Sequence, residues 1–554
     1  MLLDRIEILG FRGIKRLSLN LDEITTLLGE NTWGKSSLLD ALCIALPTSG
    51  ELYQFKIEDF HVNYALSQPQ TQQIQIITRW TTSTPNEYKN RRYRKLKPVW
   101  QDVVNEDGSS SKSCIYSLSA TRVEHKIETH YQFLDLEGIP LQLNDSHKLA
   151  LELSRIHPVI RLRDSRRLPL LDQIELNVTE KFNDVTEKRI NNTYRRLLAM
   201  PGHVNKAELK STINAMQHLI EHYFSFEKQR PEQPRLERDN LFSGDFSAAE
   251  DQTNLITLLK KSKNQQSKLL LMGLLNAFIQ AKGNSAISNI ARPIMILEDP
   301  ESRLHPTNLL KSWELLQLIP MQKILTTNNG ILLSAVPLAS IRRLVRQSDV
   351  TQCYSIREHQ LNRDDLRRIS FHIRFHRPNA LFARCWLLVE GETEVWLFNE
   401  LAKISGYNLA SEGIQIIEFA QSGLKSLIKL AKALHIDWHV VVDGDQAGKK
   451  YAFTVRNQLG QDLESHRLTE LPERDIENFL YKNGFEEYFR SKVNIPSDHP
   501  VPGKKIVQKA VKNHAKPDLA LGIVEYCEEN GTEKIPLLIR RILKRILTMA
   551  NGNN

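Results

Sequence analysis

The sequence predicts an α/β protein in which a phosphate-binding domain comes first and a domain with a parallel sheet comes last. A glycine-rich loop follows an apolar strand near residue 29, and an acidic strand end stands at residues 298–299. Two further apolar runs stop at a carboxylate and a glycine, at residues 390 and 443. Such runs are typical of buried parallel strands. The chain has 554 residues, so we expect several domains rather than one core.

The composition is that of an ordinary globular chain, with 41% hydrophobic and 25% charged residues. The formal net charge of +9 is a mild bias towards polyanions such as DNA or RNA. Five cysteines lie scattered without CxxC spacing, which argues against a disulfide framework and a zinc ribbon. The first residues have no signal-peptide pattern, and the longest apolar stretch is too short to cross a bilayer. We therefore expect a cytoplasmic protein without a membrane partner.

Hydrophobic periodicity predicts the elements that carry these motifs. The first 28 residues predict three strands, and a helix over 35–46 follows them. Residues 172–222 have a polar, helical pattern, which predicts a helical insert and a candidate dimer arm. The segment 226–245 is rich in Pro, Arg and Glu, which is typical of a linker. A helix over 267–282 and a strand over 294–297 come next, and strand–helix alternation resumes at Leu381.

Residues 29–36 match the pattern G-x-x-x-x-G-K-[ST] in its required context, after a strand and before a helix. The glycines let backbone N–H groups wrap phosphates, and the helix N-terminus adds positive potential. We expect Lys35 to neutralise the β- and γ-phosphates of ATP, and the Ser36 hydroxyl to bind Mg²⁺. The predicted nucleotide contacts are Gly29, Glu30, Asn31, Thr32, Trp33, Gly34, Lys35, Ser36 and Ser37.

A phosphate-binding loop needs an acidic strand end to hold its metal, and Glu298-Asp299 supplies one. Glu298 is predicted to bind and orient Mg²⁺ and its water, and Asp299 to polarise the attacking water. The alternative for both residues is a solvated strand end.

Carboxylates cluster after the last two apolar runs. Glu390 and Glu394 follow one run, and Asp443 and Asp445 follow the other. Ligand sites in parallel sheets lie just beyond the strand C-termini, and residues two apart share a strand face. Four or five carboxylates at that edge repel one another unless a cation lies among them. Hard divalent ions such as Mg²⁺, or Mn²⁺, take oxygen ligands of this kind, so the sequence predicts a metal site for phosphate chemistry.

These motifs resemble those of a known family. The opening at 8–14 (ILGFRGI), the phosphate-binding loop and the long gap before EDPESRLHP at 298–306 resemble ABC-type ATPases of the RecF/SMC kind. The run at 298–306 is similar to the EEPEAHLHP of the OLD (overcoming lysogenization defect) family, which joins such an ATPase to a C-terminal Toprim domain. HPVIRLRD at 157–164 is also similar to that family, and VEGETE at 389–394 and VDGD at 442–445 resemble Toprim motifs. The chain also resembles the YbjD-like branch.

The resemblance covers essentially the whole chain and implies its organisation. It implies an N-terminal ATPase part at 1–170, a helical insert at 171–245, a C-terminal ATPase part at 246–375 and a Toprim domain at 380–554. It also implies DNA as a partner and a homodimer through the ATPase domains. In such dimers the signature loop of one subunit closes on the ATP of the other.

The resemblance further implies roles for the acids of the last domain. Glu390, Asp443 and Asp445 would hold one divalent ion. Glu394 and Glu477 would hold a second ion roughly 4 Å away, with Asp475 as the alternative to Glu477. Lys516 matches a family lysine expected near the scissile phosphate, where it would offset charge in the transition state. The chain is therefore predicted to be a DNA endonuclease that uses two metal ions.

The nucleotide site departs from the family pattern at three places. Only Gln266 aligns well in the signature loop at 261–266, Asp299 stands where Glu is usual, and Asn328 stands where His is usual. Asn328 can hydrogen-bond a γ-phosphate or water but cannot take a proton. Losing reach or protonation capacity at a catalytic position costs on the order of 10²–10⁴ in rate. We therefore expect ATP to bind well, to be hydrolysed slowly and to act mainly as a conformational ligand.

Two other function classes stay open. One is a nucleotide-switched DNA-binding scaffold without nuclease activity. The other, a Toprim primase or topoisomerase, is disfavoured because the cysteine spacing predicts no zinc module and no segment remains for a strand-passage domain. Two basic segments can be either nucleic-acid contacts or solvated surface. They are residues 89–100, with interleaved aromatics, and the set Arg367, Arg368, His372, Arg374, His376 and Arg377.

Overall fold

The computed structural model divides the chain into two compact units. Unit 1 is Met1–Tyr354 and unit 2 is Ser355–Asn554. The structure describes residues 1–62, 71–84, 86–104, 110–123, 126–162, 183–199, 206–224, 265–282, 287–288, 290–303, 306–319, 321–347, 350–357, 360–496 and 499–552. The predicted linker at 226–245 lies outside these ranges. No helix in them is both long and apolar enough to cross a membrane.

Unit 1 contains two sheets. Its strands are β1 (Leu2–Phe11), β2 (Ile14–Asn20), β3 (Ile24–Leu28), β4 (Gln73–Thr81), β5 (Gln101–Val104), β6 (Ser110–Val123), β7 (Lys126–Leu134), β8 (Val159–Leu162), β9 (Ile294–Glu298), β10 (Gln322–Thr326), β11 (Ile341–Gln347) and β12 (Val350–Ser355). The first sheet has the order β2-β1-β4-β6-β5, and β7 also pairs with β6. Its alternating apolar residues, such as Ile6 and Ile8, face one core shared with the second sheet.

The second sheet of unit 1 has the order β12-β11-β3-β10-β9-β8. Its pairs from β11 through β8 are all parallel. Strands β9 and β10 are buried along nearly their whole length, as continuous apolar runs predict. This order makes β3, which leads into the phosphate-binding loop, a neighbour of β10, and makes β10 a neighbour of β9. The loop and the acidic strand end therefore lie at the same edge of the sheet.

Helices accompany these sheets. In unit 1 the α-helices are α1 (Lys35–Ala45), α2 (Ser146–Ile156), α3 (Asn183–Ala199), α4 (Lys206–Phe224), α5 (Gln265–Lys282), α6 (Pro306–Gln317) and α7 (Gly330–Ala335). Helices α3 and α4 fall in the predicted helical insert and pack against each other. The helix predicted at 35–46 and the helix predicted at 267–282 are both present, with ends shifted by one or two residues.

Unit 2 is built on a parallel sheet of four strands. Its elements are α8 (Arg363–Ile369), β13 (Cys385–Val389), α9 (Glu392–Ile404), β14 (Ile414–Glu418), α10 (Leu424–Ala433), β15 (Asp437–Val442), α11 (Gln446–Arg456), α12 (Glu464–Arg467), β16 (Leu468–Glu470), α13 (Ile476–Leu480), α14 (Glu486–Lys492), α15 (Gly503–Asn513), α16 (Lys516–Asn530) and α17 (Leu537–Ala550). The strand order is β14-β13-β15-β16, and every pair is parallel. The segment 355–375, placed with the ATPase by the sequence, groups with unit 2 in the structure.

Candidate nucleotide and metal sites

The phosphate-binding loop joins β3 to α1. Gly29 and Gly34 have φ angles of 145° and 92°, in the region that favours glycine. A Cβ at Gly34 would lie 2.9 Å from the Ile14 side chain, and one at Gly29 would lie 2.8 Å from the backbone oxygen of Leu344. Helix α1 begins at Lys35 without a side-chain cap. Its first N–H groups are therefore available to a phosphate, as the glycine pattern predicts.

Lys35 is buried in this loop, with 4% of its surface exposed. Its Nζ donates a hydrogen bond to Asn328 Oδ1 over 3.3 Å. Burial lowers the pKa of Lys35, while the carboxylates of Asp299, Glu301 and Glu298 favour its charged form. The structure thus brings the predicted Lys35, the predicted Asn328 and the acidic strand end into one site.

The remaining loop residues differ in exposure. Asn31, Thr32 and Ser36 are exposed, whereas Glu30, Trp33 and Ser37 are half-buried. The Ser37 hydroxyl accepts a hydrogen bond from the Gly13 N–H over 3.3 Å, so it ties the loop to the β1–β2 turn. The exposed position of Ser36 at the start of α1 is compatible with a hydroxyl that binds Mg²⁺.

Glu298, at the end of β9, is held by an arginine. Its Oε2 accepts a hydrogen bond from Arg161 Nε over 2.8 Å. Arg161 of β8 also pairs with Asp40 of α1, and Asp40 pairs with Arg12. Although burial opposes its charge, hydrogen bonds to Glu298 and Asp40 raise the pKa of Arg161. The sequence resemblance contained Arg161 at 157–164 but did not place it at this site, because the contact crosses between strands β8 and β9.

Asp299 is fixed by the neighbouring strand β10. Its backbone is left-handed, with a φ of 44°. Its Oδ1 accepts a hydrogen bond from the Thr326 hydroxyl over 3.1 Å, and its N–H donates to the Thr326 carbonyl over 3.2 Å. Left-handed backbone in a residue other than glycine is uncommon and clusters at functional sites. The residue predicted to polarise water is therefore oriented by contacts across the strand ends.

Glu301 is an acid of this site that the sequence did not assign. Its Oε1 accepts a hydrogen bond from the Asn328 N–H over 2.8 Å. Burial raises the pKa of Glu301. The signal was present in the run EDPES at 298–302. Spacing alone could not place it, because the 3₁₀ turn at Pro300–Arg303 is what brings Glu301 back towards the end of β10.

The signature segment is only partly described. Helix α5 begins at Gln265, which puts Gln266 in its first turn. Residues 261–264 and the side chain of Gln266 lie outside the described part of the chain. The signature loop therefore stays a prediction.

In unit 2 the first predicted metal ligands follow two neighbouring parallel strands. Glu390 follows β13, Asp443 follows β15, and β13 pairs with β15. Glycines allow the backbone to pack closely here. A Cβ at Gly444 would lie 2.4 Å from the Glu473 carbonyl oxygen, and one at Gly448 would lie 1.8 Å from that of Asp443. The second strand end is therefore held tightly between α11 and the chain that follows β16.

The electrostatics of Asp443 show that acids converge at this edge. Burial raises the pKa of Asp443 to about 8, and Glu394, Glu390, Asp475 and Glu477 raise it in that order. Carboxylates act on one another in this way only at short range. A divalent cation among them would remove the repulsion.

Three acids at this edge accept hydrogen bonds at helix N-termini. Glu394 Oε2 accepts from the Gly391 N–H over 3.1 Å, and Asp445 Oδ1 accepts from the Gly448 N–H over 2.7 Å. Asp475 Oδ1 accepts from the N–H of Asn478 over 2.8 Å. These contacts fix the carboxylates close to the start of α9, α11 and α13.

Glu477 and Lys516 come from later elements. Glu477 lies in α13, is 6% exposed and contributes to the raised pKa of Asp443. Lys516 begins α16, which packs against α9, the helix that carries Glu394. The Lys516 side chain lies outside the described residues. The structure thus places Glu477 near the other acids and leaves the role of Lys516 a prediction.

A metal ion fits this edge through the chemistry of its donors. Within the described ranges, no three His, Cys, Asp or Glu side chains are already arranged to hold an ion. Glu390 and Asp443 nevertheless follow adjacent parallel strands, and Glu394, Asp475 and Glu477 are near enough to raise the pKa of Asp443. Mg²⁺ and Mn²⁺ prefer such donors. Binding of a metal ion would therefore require the carboxylate side chains to rotate. The hydrogen bonds that Glu394 and Asp445 accept at the helix N-termini would then be replaced by bonds to the ion.

Comparison with known families matches residues 1–445 of the chain. Residues 1–380 match the family described as "Protein of unknown function (DUF2813)". The chain belongs to this family. Residues 381–445 match "Overcoming lysogenization defect protein-like, TOPRIM domain". That match includes Glu390, Glu394, Asp443 and Asp445, whereas Glu477 and Lys516 lie beyond it.

Individual proteins are similar to different extents. "Uncharacterized protein YbjD" of Escherichia coli (strain K12) is 40% identical over 555 residues, which covers 100% of both chains. The C-terminal region of the Burkholderia pseudomallei OLD protein is 17% identical, with a TM-score of 0.25, and the alignment covers 30% of this chain and 99% of that one. The SMC head domain from Thermotoga maritima is 13% identical, with a TM-score of 0.31, over 64% of this chain and 100% of that one.

The family matches confirm the resemblance to OLD-like chains and to the YbjD-like branch. With the described sheets they also confirm the predicted α/β fold class and the C-terminal Toprim domain. The assignment of the first part as an ABC-type ATPase stays a prediction from its motifs.

Proposed function

We propose that this chain is an ATP-binding, divalent-metal-dependent DNA endonuclease that hydrolyses phosphodiesters in its Toprim domain. The observation that carries the proposal is the convergence of Glu394, Glu390 and Glu477 on Asp443, at the carboxyl edge of a sheet that matches a TOPRIM domain. Acids this close favour a bound cation, and hard divalent ions are the cations of phosphodiester hydrolysis. The net charge of +9 is compatible with DNA as the substrate.

The acids divide between two ions in this proposal. The ligands are Glu390, Asp443 and Asp445 for one ion and Glu394 and Glu477 for the other. Bound ions would supply Lewis-acid activation of water and of the phosphate. Lys516, at the start of α16, would offset charge that develops on the phosphate. Backbone N–H groups hold Glu394 and Asp445 at the sheet edge and so limit the positions that their carboxylates can take.

The nucleotide site supports the second half of the proposal, that ATP regulates the nuclease and is hydrolysed slowly. Arg161 holds one oxygen of Glu298, and Thr326 holds one oxygen of Asp299. Each acid therefore has a protein partner that competes with metal or water. Asn328 can orient a water but cannot accept its proton. ATP would then act as a conformational ligand, through a homodimer formed by the ATPase domains.

Cleavage of supercoiled plasmid tests the proposal. With Mg²⁺ or Mn²⁺ we expect the wild type to nick DNA, and Glu390→Gln and Asp443→Asn to lose roughly 10²-fold or more, the scale of removing a catalytic or metal-orienting group. Glu392→Gln is the matched control, because this exposed acid stands between two proposed ligands and should leave the rate unchanged. Circular dichroism checks that all variants are folded.

Several outcomes would contradict the proposal. No metal-dependent nicking by the wild type, or equal nicking by Glu390→Gln, would leave the nucleotide-switched scaffold as the better function. Adding ATP, ADP or a non-hydrolysable ATP analogue to the wild type and to Lys35→Ala tests the regulatory part. We expect the analogue to act like ATP on the wild type and to have no effect on Lys35→Ala. Rapid steady-state ATP turnover would contradict a role as conformational ligand.

A further inference from the structure

One helix in unit 2 carries a basic and aromatic face that the proposed chemistry does not use. Helix α8 continues directly into a π-helix over Ser370–Phe375. Side chains three or four residues apart share a helix face. We call this one the 367–376 face, and it consists of Arg367, Arg368, Phe371, His372, Phe375 and His376.

The opposite side of the helix anchors it within unit 2. Ile369 and Ile373 are 1% and 0% exposed. Asp365 accepts hydrogen bonds from the Ser426 hydroxyl and, over 2.7 Å, from Lys429 Nζ, both on α10. The buried isoleucines and the bonded carboxylate fix the rotation of the helix. The 367–376 face is therefore presented outwards by the packing of the other side.

Two phenylalanines on this face are largely solvent-exposed. Phe371 is 44% and Phe375 is 54% exposed, and they are four residues apart. The Phe371 ring meets the rings of His372 and His376 nearly edge-on, with centroids 4.9 Å and 4.8 Å away. These contacts orient the ring while its surface stays accessible. An oriented, exposed aromatic ring is what a stacking platform for bases requires.

Positive groups surround the rings. Arg367 and Arg368 are exposed. Burial lowers the pKa of His372, and His376, Arg377 and Arg368 lower it further, against an opposing effect of Glu418. Like charges are therefore crowded here, which favours a polyanionic ligand. The acids nearby are Glu418, which pairs with Arg377, Asp365, which pairs with Lys429, and the exposed Asp364.

The 367–376 face lies at the edge of the sheet that carries the candidate metal site. The Arg368 guanidinium is 2.9 Å from the place that a Cβ on Gly423 would take, just beyond β14. Arg377 pairs with Glu418, the last residue of β14, over 3.0 Å. Strand β14 pairs in parallel with β13, which leads to Glu390. The end of β14, next to the 367–376 face, is therefore one strand spacing, roughly 5 Å, from the end of β13, which precedes Glu390.

The other basic and aromatic segment of the chain is different. Residues 91–99 form a 3₁₀ helix in unit 1, in which Tyr93 is 1% exposed. The Tyr93 ring stacks on His157 at 5.9 Å. The Tyr93 ring therefore belongs to the core and is not available to stack on a base. The alternative of a nucleic-acid contact is therefore better supported for the 367–376 face than for residues 89–100.

We infer that the 367–376 face binds single-stranded DNA, with Arg367 and Arg368 on phosphates and Phe371 and Phe375 stacked on bases. The bound strand would lead to the acids after β13 and β15, so this inference rests on the proposed nuclease function. Single strands expose the faces of their bases to aromatic rings, whereas a duplex keeps its bases stacked and offers mainly phosphates. The π-helix supports the assignment, because such turns are frequent at functional sites.

Fluorescence anisotropy of a labelled oligothymidylate tests this inference, in EDTA so that no strand is cut. We expect Phe371→Ala/Phe375→Ala to bind at least tenfold more weakly, since stacking on one base is worth roughly 5- to 100-fold in affinity. Phe371→Tyr/Phe375→Tyr should retain binding, because tyrosine also stacks. Arg367→Gln/Arg368→Gln should weaken binding and reduce its salt dependence.

Matched controls come from the same unit. Phe453→Ala removes a ring that is 64% exposed on α11, and Arg540→Gln/Arg541→Gln removes two exposed arginines from α17. Neither should change the affinity for the oligonucleotide.

Three results would overturn the inference. They are an absence of single-strand binding by the wild type, equal loss in the control variants, or equal loss of single-strand and hairpin-duplex binding in the phenylalanine variant. Failure of the nuclease proposal would look different. Plasmid nicking would then be absent in the wild type, whereas oligonucleotide binding would still depend on the 367–376 face.

Discussion

In unit 1 the acidic strand end is matched by fixed cations, whereas in unit 2 acids gather around one another. Glu298 pairs with Arg161 at 2.8 Å, and Lys35 lies in the same site. Asp443 has four carboxylates near enough to raise its pKa to about 8 together with burial. Both sites lie beyond the carboxyl ends of parallel strands, so the architecture is the same. The difference lies in the charges that neighbouring elements supply.

This difference shows how one kind of sheet edge can present opposite charges. A site with its own arginine and lysine is prepared for an anion such as a nucleotide phosphate. A site in which carboxylates oppose one another is prepared for an exchangeable divalent cation. The same substitution, an acid to its amide, should therefore have opposite effects on the stability of the two units.

The largest effect is expected in unit 1. Glu298→Gln removes a charge-assisted hydrogen bond from Arg161 and should lower the free energy of unfolding by about 2 kcal/mol. Urea unfolding of the nucleotide-free protein measures it. Glu152→Gln is the control, because its partner Lys95 is 67% exposed and such pairs contribute little. Equal losses in the two variants would show that Glu298 is not held by a fixed cation as the structure indicates.

An effect that is smaller for each unit of pH concerns a feature that the two units share, a buried histidine. Burial lowers the pKa of His157 in unit 1 to about 3 and that of His439 in unit 2 to about 4. The unfolded chain binds protons below pH 6.5 that these folded histidines do not. Stability is therefore complete above that pH and falls as the pH drops towards 4, by at most about 1.4 kcal/mol per unit of pH for each histidine.

His439→Asn should make this pH dependence shallower. The measurement is the melting temperature at a series of pH values from 7 to about 5. His499→Asn, on an exposed residue of the same unit, should keep the wild-type slope. If both variants have the wild-type slope, the loss of stability at low pH comes from the carboxylate sites and not from the buried histidines.

The smallest effect has the opposite sign to that of Glu298→Gln. Because the folded pKa of Asp443 is raised, its charged form destabilises unit 2, fully above about pH 8 and less as the pH falls. In metal-free protein above that pH, Asp443→Asn should raise the melting temperature by about 2–4 °C. This corresponds to roughly 1 kcal/mol in a domain of this size, once solvent screening and rotation of the acids away from one another reduce the repulsion. Mg²⁺ should stabilise the wild type more than the variant.

Asp437→Asn is the control for this sign. Asp437 lies at the other end of β15 and pairs with Arg467 at 2.8 Å, so its removal should lower the melting temperature. A lower melting temperature for Asp443→Asn as well would mean that nearby cations already offset the charge of the acids in unit 2. The two sites would then not differ in their electrostatics.

Much of both sites was predictable because their residues are local to strand ends. Gly34 and Lys35 follow β3 directly, Glu298 ends β9, and Glu390 and Asp443 each follow an apolar run. A strand that stops at a glycine or an acid shows itself within ten residues of sequence. The helix ends shifted by one or two residues, since capping and packing set them together.

The partners of these residues were not predictable. Arg161 reaches Glu298 across 137 positions of sequence, and Thr326 reaches Asp299 across 27. Such contacts depend on which strands become neighbours, which no local pattern specifies. The grouping of residues 355–375 with unit 2 has the same origin, since Asp365 is bonded to Ser426 and Lys429.

The sequence by itself determined the α/β class, the phosphate-binding loop and the acids at the strand ends, because each is encoded in a short run of adjacent residues. Only the tertiary structure decided which charges surround those acids. It brings Arg161 to Glu298 and four carboxylates to Asp443. It also decided that Phe371 is exposed while Tyr93 is buried, although both stand among arginines in the sequence. The physical reason is that electrostatic free energy and burial depend on distances through space, which the order of strands in a sheet sets.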